Sequence, residues 1–389
     1  MKQRKNISAQ WWIIVLMIAF CGSVQAQNEG NTDQSNTSQS NKVDIVPLPV
    51  LYSSPETNFG FGALASISFR LGKDAKTTRK SNVQPYVLYT TLGQLDATAR
   101  YTIFTNEEKY IITGRLSYLF FPEFYYGIGN DVPETNEELV SYRRVRIENR
   151  VLRKISKKFF AGAQYRYVEM FQVEPTEGGL LETSRVPGFD GSRISGIGAA
   201  VVYDSRDNIL NAYKGAYLEL SNYNYLSGLG SEFDFSTITV DLRKYFKPFA
   251  NREHVVAIQG YGNFITGTAP YKELSEFGGS VIMRGYYQGR YRENNYLAAQ
   301  VEYRLPLFQN IPEGRAKLPW YRRFGLTAFA GIGDVANEVN RFDSSDLKLS
   351  YGAGLRFKLD RKNNINIRLD YGFGSDGSSG FYLEIGEAF

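Results

Sequence analysis

Charged and apolar residues alternate one by one along most of this chain, and this alternation constrains the fold more than any other feature. Side chains of a β-strand point to opposite faces at every second residue, so such a segment has one polar and one apolar face. An Arg or Lys side chain that faces lipid at the bilayer midplane destabilises a barrel by about 2 to 4 kcal/mol. The charged face must therefore line a wet lumen. In the run 144–151, Arg144, Arg146, Glu148 and Arg150 oppose Val145, Ile147 and Val151.

The same split recurs in segment after segment, for example in 238–243 and 365–371. Sixteen segments fit the pattern, and single-chain bacterial barrels have an even number of strands. They lie near 45–53, 58–71, 82–92, 94–105, 108–121, 139–154, 157–172, 193–205, 214–226, 231–247, 253–266, 293–308, 321–334, 347–360, 363–375 and 379–389. Long connections at 122–138, 173–192, 267–292 and 335–346 fall on the external side. We predict an all-β fold, a transmembrane antiparallel β-barrel of about 16 strands.

The composition agrees with a barrel and excludes other classes. Aromatic residues make up 15% of the 389 residues, and 37 Gly stand against 13 Pro, a composition that favours strands, turns and interfacial belts over helical bundles. No apolar run outside the N-terminal leader is long enough for a spanning helix. The formal charge of +5 comes from 45 basic and 40 acidic residues that form no single patch, so we expect no nucleic-acid partner.

The N-terminus resembles an export signal followed by a polar tail. Basic residues precede an apolar core at 11–20, and small residues before Ala26 suit a signal peptidase, so we predict a signal peptide at 1–26. Cys21 is the only cysteine and lies in this leader, which leaves no thiol chemistry for the mature chain. Residues 27–42 contain no apolar side chain, so we predict a disordered linker before a barrel at 43–389.

The two ends of the barrel predict a weak seam. Pro47 and Pro49 flank Leu48 in the first strand, and proline lacks the amide donor that a central strand needs. The closing partner is predicted to be the last strand, whose seam residues are Phe381, Leu383 and Phe389. Cysteines at Leu48 and Leu383 are expected to crosslink across this seam. The C-terminal Phe389 also resembles the assembly signal of outer-membrane barrels.

A glycine-rich loop that runs into the strand at 293–308 carries the most specific motif. Arg284 lies between Met283 and Gly285, and Tyr286 follows. A buried guanidinium needs an acceptor, and Glu302, on the charged parity of the next strand, is the candidate.

On these residues the chain resembles the BamA/TamA-type outer-membrane assembly superfamily, also called the bacterial surface antigen family. Met283-Arg284-Gly285-Tyr286 is similar to the Val/Ile-Arg-Gly-Phe/Tyr motif of the family's sixth external loop. Supporting similarities are found at 46–49 with 52–57, and at 203–208 with 214–215. The resemblance implies that this loop folds inward and that Arg284 pairs with acidic residues on the next two strands.

Two departures from the family pattern affect what the resemblance implies. Gly331 occupies the family's second acidic position, so the Arg284 latch is expected to rest on Glu302 alone or to use Asp334. Residues 27–42 are also too short for the polypeptide-transport-associated (POTRA) domains that precede the barrel in assembly and secretion members. A separate periplasmic module is therefore one expected partner.

The charged lumenal rows allow two interpretations. The rows either line a permeation path or form salt-bridge networks that fill a plugged barrel. The sequence does not decide between these two interpretations. The arginines concerned are Arg144, Arg146, Arg150, Arg304, Arg356 and Arg368.

The sequence offers little evidence for a catalytic site or a metal site. His254 is the only histidine and shares parity with the lipid-facing Val256 and Ile258, which argues against a barrel hydrolase. One histidine without a mature cysteine cannot build a zinc cluster, and we expect no catalytic, cofactor or metal site. The acidic tips at 343–346 and 375–379 are interpreted as solvated loops.

Our prediction is a non-enzymatic barrel in the outer membrane of a Gram-negative bacterium. Its expected role is insertion or translocation of outer-membrane proteins, or lipid handling, and the alternative is a channel for small polar solutes. Expected partners are outer-membrane lipid, unfolded outer-membrane proteins and the separate periplasmic module.

Overall fold

The computed structural model describes residues 43–71, 78–209, 211–249, 253–308, 319–360 and 365–389. The predicted signal peptide and linker, and the predicted tight turn at 361–363, lie outside these ranges. No helix in the described ranges is long and apolar enough to span a membrane.

The described residues form nineteen strands and one short α-helix. The strands in chain order are β1 (Asp44–Ser54), β2 (Asn58–Phe69), β3 (Ser81–Thr90), β4 (Leu95–Phe104), β5 (Tyr110–Phe120), β6 (Glu123–Tyr125), β7 (Glu138–Lys154), β8 (Phe159–Glu174), β9 (Ser192–Asp204), β10 (Gly215–Tyr225), β11 (Phe235–Phe246), β12 (Val255–Gly267), β13 (Ser275–Phe277), β14 (Tyr291–Glu293), β15 (Asn295–Pro306), β16 (Phe324–Ala336), β17 (Lys348–Asp360), β18 (Ile365–Gly374) and β19 (Ser379–Ile385). The helix α1 spans Leu180–Ser184, and short 3₁₀ turns lie at Asn106–Glu108, Glu134–Asn136, Ser227–Leu229, Tyr271–Glu273, Trp320–Arg323 and Val339–Arg341.

Sixteen of these strands close into one antiparallel barrel. Each barrel strand pairs with its sequence neighbours, and β1 pairs with β19. The three short strands belong to connections between barrel strands: β6 adds to β7, and β13 pairs with β14. The prediction of an all-β antiparallel barrel of about 16 strands is confirmed.

The alternation of polar and apolar residues in the sequence corresponds to two faces of the barrel wall. On β15, Gln300, Glu302 and Arg304 are buried, whereas Leu297 and Val301 are exposed. Because the barrel is closed, the buried polar parity forms its inner face and the exposed apolar parity its outer face.

The C-terminus departs from the predicted last strand. β19 ends at Ile385, four residues earlier than expected. Gly386 then adopts a φ of +98°, a left-handed conformation that glycine tolerates without steric cost, and its amide donates to the carbonyl of Asn366 at 2.7 Å. Phe389 is buried and packs with Tyr245 of β11 and Ala257 of β12. The assignment of Phe389 to the seam is therefore wrong.

Candidate functional site: a buried loop arginine and the barrel seam

The connection between β12 and β15 is a folded loop with its own hairpin, β13–β14. Gly285, at φ +114°, approaches the backbone of β18 so closely that a Cβ there would lie 2.6 Å from the carbonyl carbon of Phe373. In turn, a Cβ on Gly372 of β18 would lie 2.8 Å from the carbonyl group of Arg284. These two glycines allow the loop backbone and the strand backbone to touch.

Arg284, at the tip of this loop, is 1% exposed and binds two carboxylates. Its Nη2 lies 2.5 Å from Glu302 Oε2 on β15, and its Nη1 lies 2.5 Å from Asp370 Oδ2 on β18. The guanidinium carbon stands 3.6 Å from the ring centroid of Phe329 on β16, a cation–π contact. Ser350 of β17 donates its hydroxyl to the Arg284 carbonyl at 2.5 Å. Four consecutive strands, β15 to β18, therefore contact Arg284.

The ion pairs of Arg284 belong to a larger buried cluster with equal numbers of cations and anions. Its arginines are Arg284, Arg304, Arg356 and Arg368, and its carboxylates are Glu302, Asp370, Glu384 and Glu387. Asp370 bridges three of the guanidiniums, at 2.5 Å from Arg284, 2.5 Å from Arg356 and 3.1 Å from Arg368. Buried charges are tolerated when paired and hydrogen-bonded in this way.

The residues beside Arg284 anchor the loop through other contacts. The Gly285 amide donates to the Tyr382 hydroxyl at 2.9 Å, which ties the loop to β19. The Tyr286 hydroxyl donates to the Leu349 carbonyl at 2.8 Å. Met283 and Tyr286 lie in a fully buried cluster with Phe277 and Tyr291.

A second polar network ties this loop to the connection between β5 and β7 that contains β6. Lys272 contacts both Glu123 and Glu276, at 2.7 Å for Glu276, and Arg292 Nη2 lies 3.1 Å from Glu276. Burial disfavours the charged form of Glu276, but the cations of Lys272 and Arg292 outweigh it and lower the pKa of Glu276 to about 2. The amide of Gly129 also donates to the Arg292 carbonyl at 2.8 Å.

The seam between the first and last strands is sparsely paired. β1 is matched to β2 from Asp44 to Ser54 along its whole length. Within the described strands, its ladder with β19 consists of one residue pair, Ser53 opposite Leu383. On the other side of β19, Leu383 lies opposite Leu369 in a continuous ladder from Phe373 to Ile367. Most of the outer edge of β1 is therefore left without a strand partner in the part of the chain that the structure describes.

Comparison with known proteins identifies the family. The model of the Omp85 superfamily domain matches residues 58–389. The chain belongs to the Omp85 superfamily. This membership confirms the resemblance stated from the sequence and places the barrel in a bacterial outer membrane.

Solved structures share the fold of this Omp85 barrel at low sequence identity. BamA from Haemophilus ducreyi lacking POTRA domains 1–3 is similar with a TM-score of 0.57 and 11% identity, over 94% of this chain and 77% of that chain. CdiB from Acinetobacter baumannii is similar with a TM-score of 0.55 and 12% identity, over 89% of this chain and 66% of that chain. No curated protein matches the sequence.

Most of the predicted latch residues come together in the Omp85 barrel, as described above. These are Met283, Arg284, Gly285, Tyr286 and Glu302. Asp334, the suggested alternative partner, instead lies 3.2 Å from Lys348 and accepts from Asn130 at 3.4 Å. The expectation that Arg284 rests on Glu302 alone or on Asp334 is wrong, because Asp370 supplies the second carboxylate.

The sequence predicted the orientation of Asp370 but not its contact with Arg284. Asp370 lies on the charged parity of the run 365–371, so its side chain was predicted to point inward. The sequence did not show how close this side chain lies to the loop. At Gly331 a Cβ would lie 3.1 Å from the Met283 sulfur, so the loop methionine packs against the family's second acidic position.

The predicted seam residues are only partly brought together. Leu383 lies at the seam, but its partner is Ser53 rather than Leu48, so the expected Leu48–Leu383 pairing is wrong in register. Pro47 and Pro49 are exposed and lie opposite Ala65 and Ala63 of β2. Phe381 pairs with Tyr371 of β18.

The C-terminal residues of the Omp85 barrel join the ion cluster instead of the seam. Arg304 donates to the Phe389 carbonyl at 2.9 Å, and its guanidinium stands 5.8 Å from the ring centroid of Phe389. Glu387 accepts from Arg356 Nε at 2.7 Å and from Asn366 at 2.6 Å. The tail and the loop arginine are therefore linked through shared partners.

His254 is covered by its neighbours. It shares a hydrogen bond with the hydroxyl of Tyr303, which lies on the outer parity of β15, and it packs against Phe249. The described residues hold no group of three or more His, Cys, Asp or Glu side chains arranged to bind a metal ion.

Proposed function

We propose that this Omp85 barrel inserts or translocates outer-membrane proteins, or moves lipid, through the seam between β1 and β19. The observation that carries the proposal is the ladder of β1 with β19, which consists of Ser53 opposite Leu383, beside a complete β1–β2 ladder. Unpaired backbone N–H and C=O groups on a strand edge are a template for another strand. Within a bilayer such groups have no water to bind, so an incoming strand or a lipid headgroup gains by occupying the edge.

In the same proposal, the loop between β12 and β15 folds into the lumen as a latch. Support comes from the partners of Arg284, which lie on the buried parity of their strands: Glu302 on β15 and Asp370 on β18. Because Gly285 also binds Tyr382 of β19, the loop stiffens the strand that forms one side of the seam.

The proposed role is not enzymatic, and it requires an unfolded outer-membrane protein or lipid as client. We further propose that the organism is a Gram-negative bacterium and that a separate periplasmic chain supplies the client.

A seam-locking experiment tests the proposal. Ser53→Cys with Leu383→Cys, when oxidised, joins the two seam strands, since paired residues of antiparallel strands bring Cβ atoms within reach of a disulfide. The matched control, Leu369→Cys with Leu383→Cys, uses the same residue of β19 but locks it to β18, where the ladder is already continuous.

Each oxidised barrel is placed in liposomes with a urea-unfolded outer-membrane barrel protein, and the rate of client folding is measured on gels. A parallel assay follows transfer of a fluorescent lipid between leaflets. The proposal predicts that wild type and the β18–β19 lock accelerate one of the two processes and that the β1–β19 lock abolishes the acceleration until reductant is added. Full activity of the oxidised β1–β19 lock, or no acceleration by wild type in either assay, contradicts the proposal.

A further inference from the structure

The inner face of the barrel wall formed by β4, β5 and β7 carries a second set of arginines, and within the described residues these have few acidic contacts. Arg100, Arg115, Arg144 and Arg146 point inward on the same parity as the buried Thr98, Ser117 and Tyr142. Among the described residues, none of the first three has an ion pair or a side-chain hydrogen bond, and Arg146 has only a contact of 3.7 Å with Glu148. The buried Nε atoms of Arg115, Arg144 and Arg146 have no partner.

The strand register brings these cations close together. Arg100 lies directly opposite Arg115 in the β4–β5 ladder. In the β5–β7 ladder Arg115 lies opposite Glu148, Arg146 lies opposite Ser117, and Arg144 follows on the same face of β7. Directly opposed residues have Cβ atoms about 5 Å apart and diagonal neighbours about 7 to 8 Å, so four like charges share one patch. Like charges at these positions repel unless an anion lies between them.

The nearby carboxylates neutralise this patch only in part: together with Arg166, five guanidiniums face the three carboxylates Asp96, Glu148 and Glu273. Glu148 is 2.9 Å from Arg166 Nε, and Glu273 is 2.7 Å from Arg166 Nη2. Asp96 accepts hydrogen bonds from the neutral hydroxyls of Thr98 at 2.5 Å and Tyr86 at 3.3 Å, so it keeps its charge and is counted among these carboxylates. The contrast with the Arg284 cluster, where four carboxylates face four guanidiniums, shows that the excess charge is local to this wall.

We propose that Arg100, Arg115, Arg144 and Arg146 form a binding site for a small oxyanion, a phosphate or a carboxylate, in the lumen of the barrel. Guanidinium forks match the planar or tetrahedral oxygen arrangement of these anions and bind them by charge-assisted hydrogen bonds. The half-buried arginines of β5 and β7 remain accessible to lumenal water, so the anion arrives from solution and not from the lipid-facing surface. The site is distinct from the seam, since its four arginines lie on neither β1, β19 nor the Arg284 loop.

The direct test is a calorimetric titration of the whole purified barrel in detergent with inorganic phosphate, in a phosphate-free zwitterionic buffer at constant ionic strength. The test variant is Arg115→Gln with Arg146→Gln. The matched control is Arg143→Gln with Arg153→Gln, which removes the same charge from exposed positions of β7 on the opposite parity. We expect saturable binding by wild type and control, and affinity at least about tenfold weaker in the test variant, because charged hydrogen bonds are lost.

Three results overturn the proposal. The first is that wild type shows no saturable binding of phosphate or acetate, and the second is that anion affinity falls equally in the test and control variants. The third is that the barrel binds a hexaglutamate peptide but neither small anion. The last would assign the patch to an acidic polypeptide segment. A free phosphate is distinguished from a lipid phosphate by repeating the titration with glycerol 3-phosphate and with short-chain phosphatidylglycerol micelles; binding of the micelles alone contradicts a lumenal small-anion site.

A second measurement stays informative if the double variant folds poorly. In phosphate-free buffer, Arg115→Gln alone is expected to raise the melting temperature of the barrel, because it removes one of two opposed cations. Saturating phosphate is expected to stabilise wild type more than this variant. A melting temperature that falls in phosphate-free buffer contradicts the existence of uncompensated charge at this site.

Discussion

Arg284 and Asp370 are 86 residues apart in the sequence, yet Arg284 Nη1 lies 2.5 Å from Asp370 Oδ2 with both side chains fully shielded from solvent. This pair joins the loop between β12 and β15 to the last-but-one strand of the barrel. Together with the pair to Glu302, it fixes the loop against β15 and β18 at once. The Arg284 guanidinium is therefore one of the main anchors of the loop, beside the contacts of Gly285 and Tyr286.

Replacement of Arg284 is predicted to be costly. Arg284→Ala leaves Glu302 and Asp370 with less compensation in a buried site, and breaking such a pair costs about 3 to 5 kcal/mol. The free energy of unfolding is measured by urea titration in detergent with gel migration as readout. Arg341→Ala is the control, because its pair with Glu338 is exposed and such pairs contribute about 0 to 1 kcal/mol. Equal losses in the two variants would show that Arg284 is not a structural anchor.

The sequence predicted the barrel because alternation with a period of two is a local property of each segment. It also predicted which parity of β15 and β18 faces inward. It could not predict that Asp370 meets Arg284, because that contact depends on the path of the loop across the barrel. The relation of Ser53 to Leu383 was missed for a related reason, since the seam register depends on where the whole barrel closes.

The C-terminus shows how one residue can end a regular pattern. The alternation from Phe381 to Phe389 predicted a strand that continues to the last residue. Gly386 lies inside that run, and its positive φ ends the strand. A glycine inside a strand pattern is a known signal for a bend or a bulge, and here it redirects Phe389 toward Tyr245.

The tail is predicted to contribute to stability through Glu387. Glu387→Gln weakens the contacts with Arg356 Nε at 2.7 Å and Arg304 Nε at 3.7 Å, and we expect a loss of about 1 to 3 kcal/mol. The same urea titration measures it. Glu232→Gln serves as control, because Glu232 and its partner Arg193 are both largely exposed. If the two variants unfold at the same urea concentration, the tail contacts do not stabilise the barrel.

The loop network predicts an acid-sensitive contribution from Glu276. Its pKa in the folded protein is about 2, below the roughly 4.3 of an unfolded glutamate, so its stabilisation is present above pH 4.3 and is lost as the pH falls through 2. The full effect is at most about 3 kcal/mol. The difference in unfolding free energy between wild type and Glu276→Gln is expected to shrink from pH 5 to pH 2. The exposed Glu177→Gln serves as control, and a difference that stays constant or grows on acidification contradicts the assignment.

The central claim, that the Arg284 loop is a latch inside the lumen, is tested most directly by the conductance of single barrels in planar bilayers. The comparison is between wild type, Arg284→Ala and a chain that lacks residues 278–290. A lumenal latch predicts small conductance for wild type, frequent larger openings for Arg284→Ala and a large, steady conductance for the deletion. Unchanged conductance in a correctly folded deletion variant would contradict the claim and make this segment an ordinary external loop.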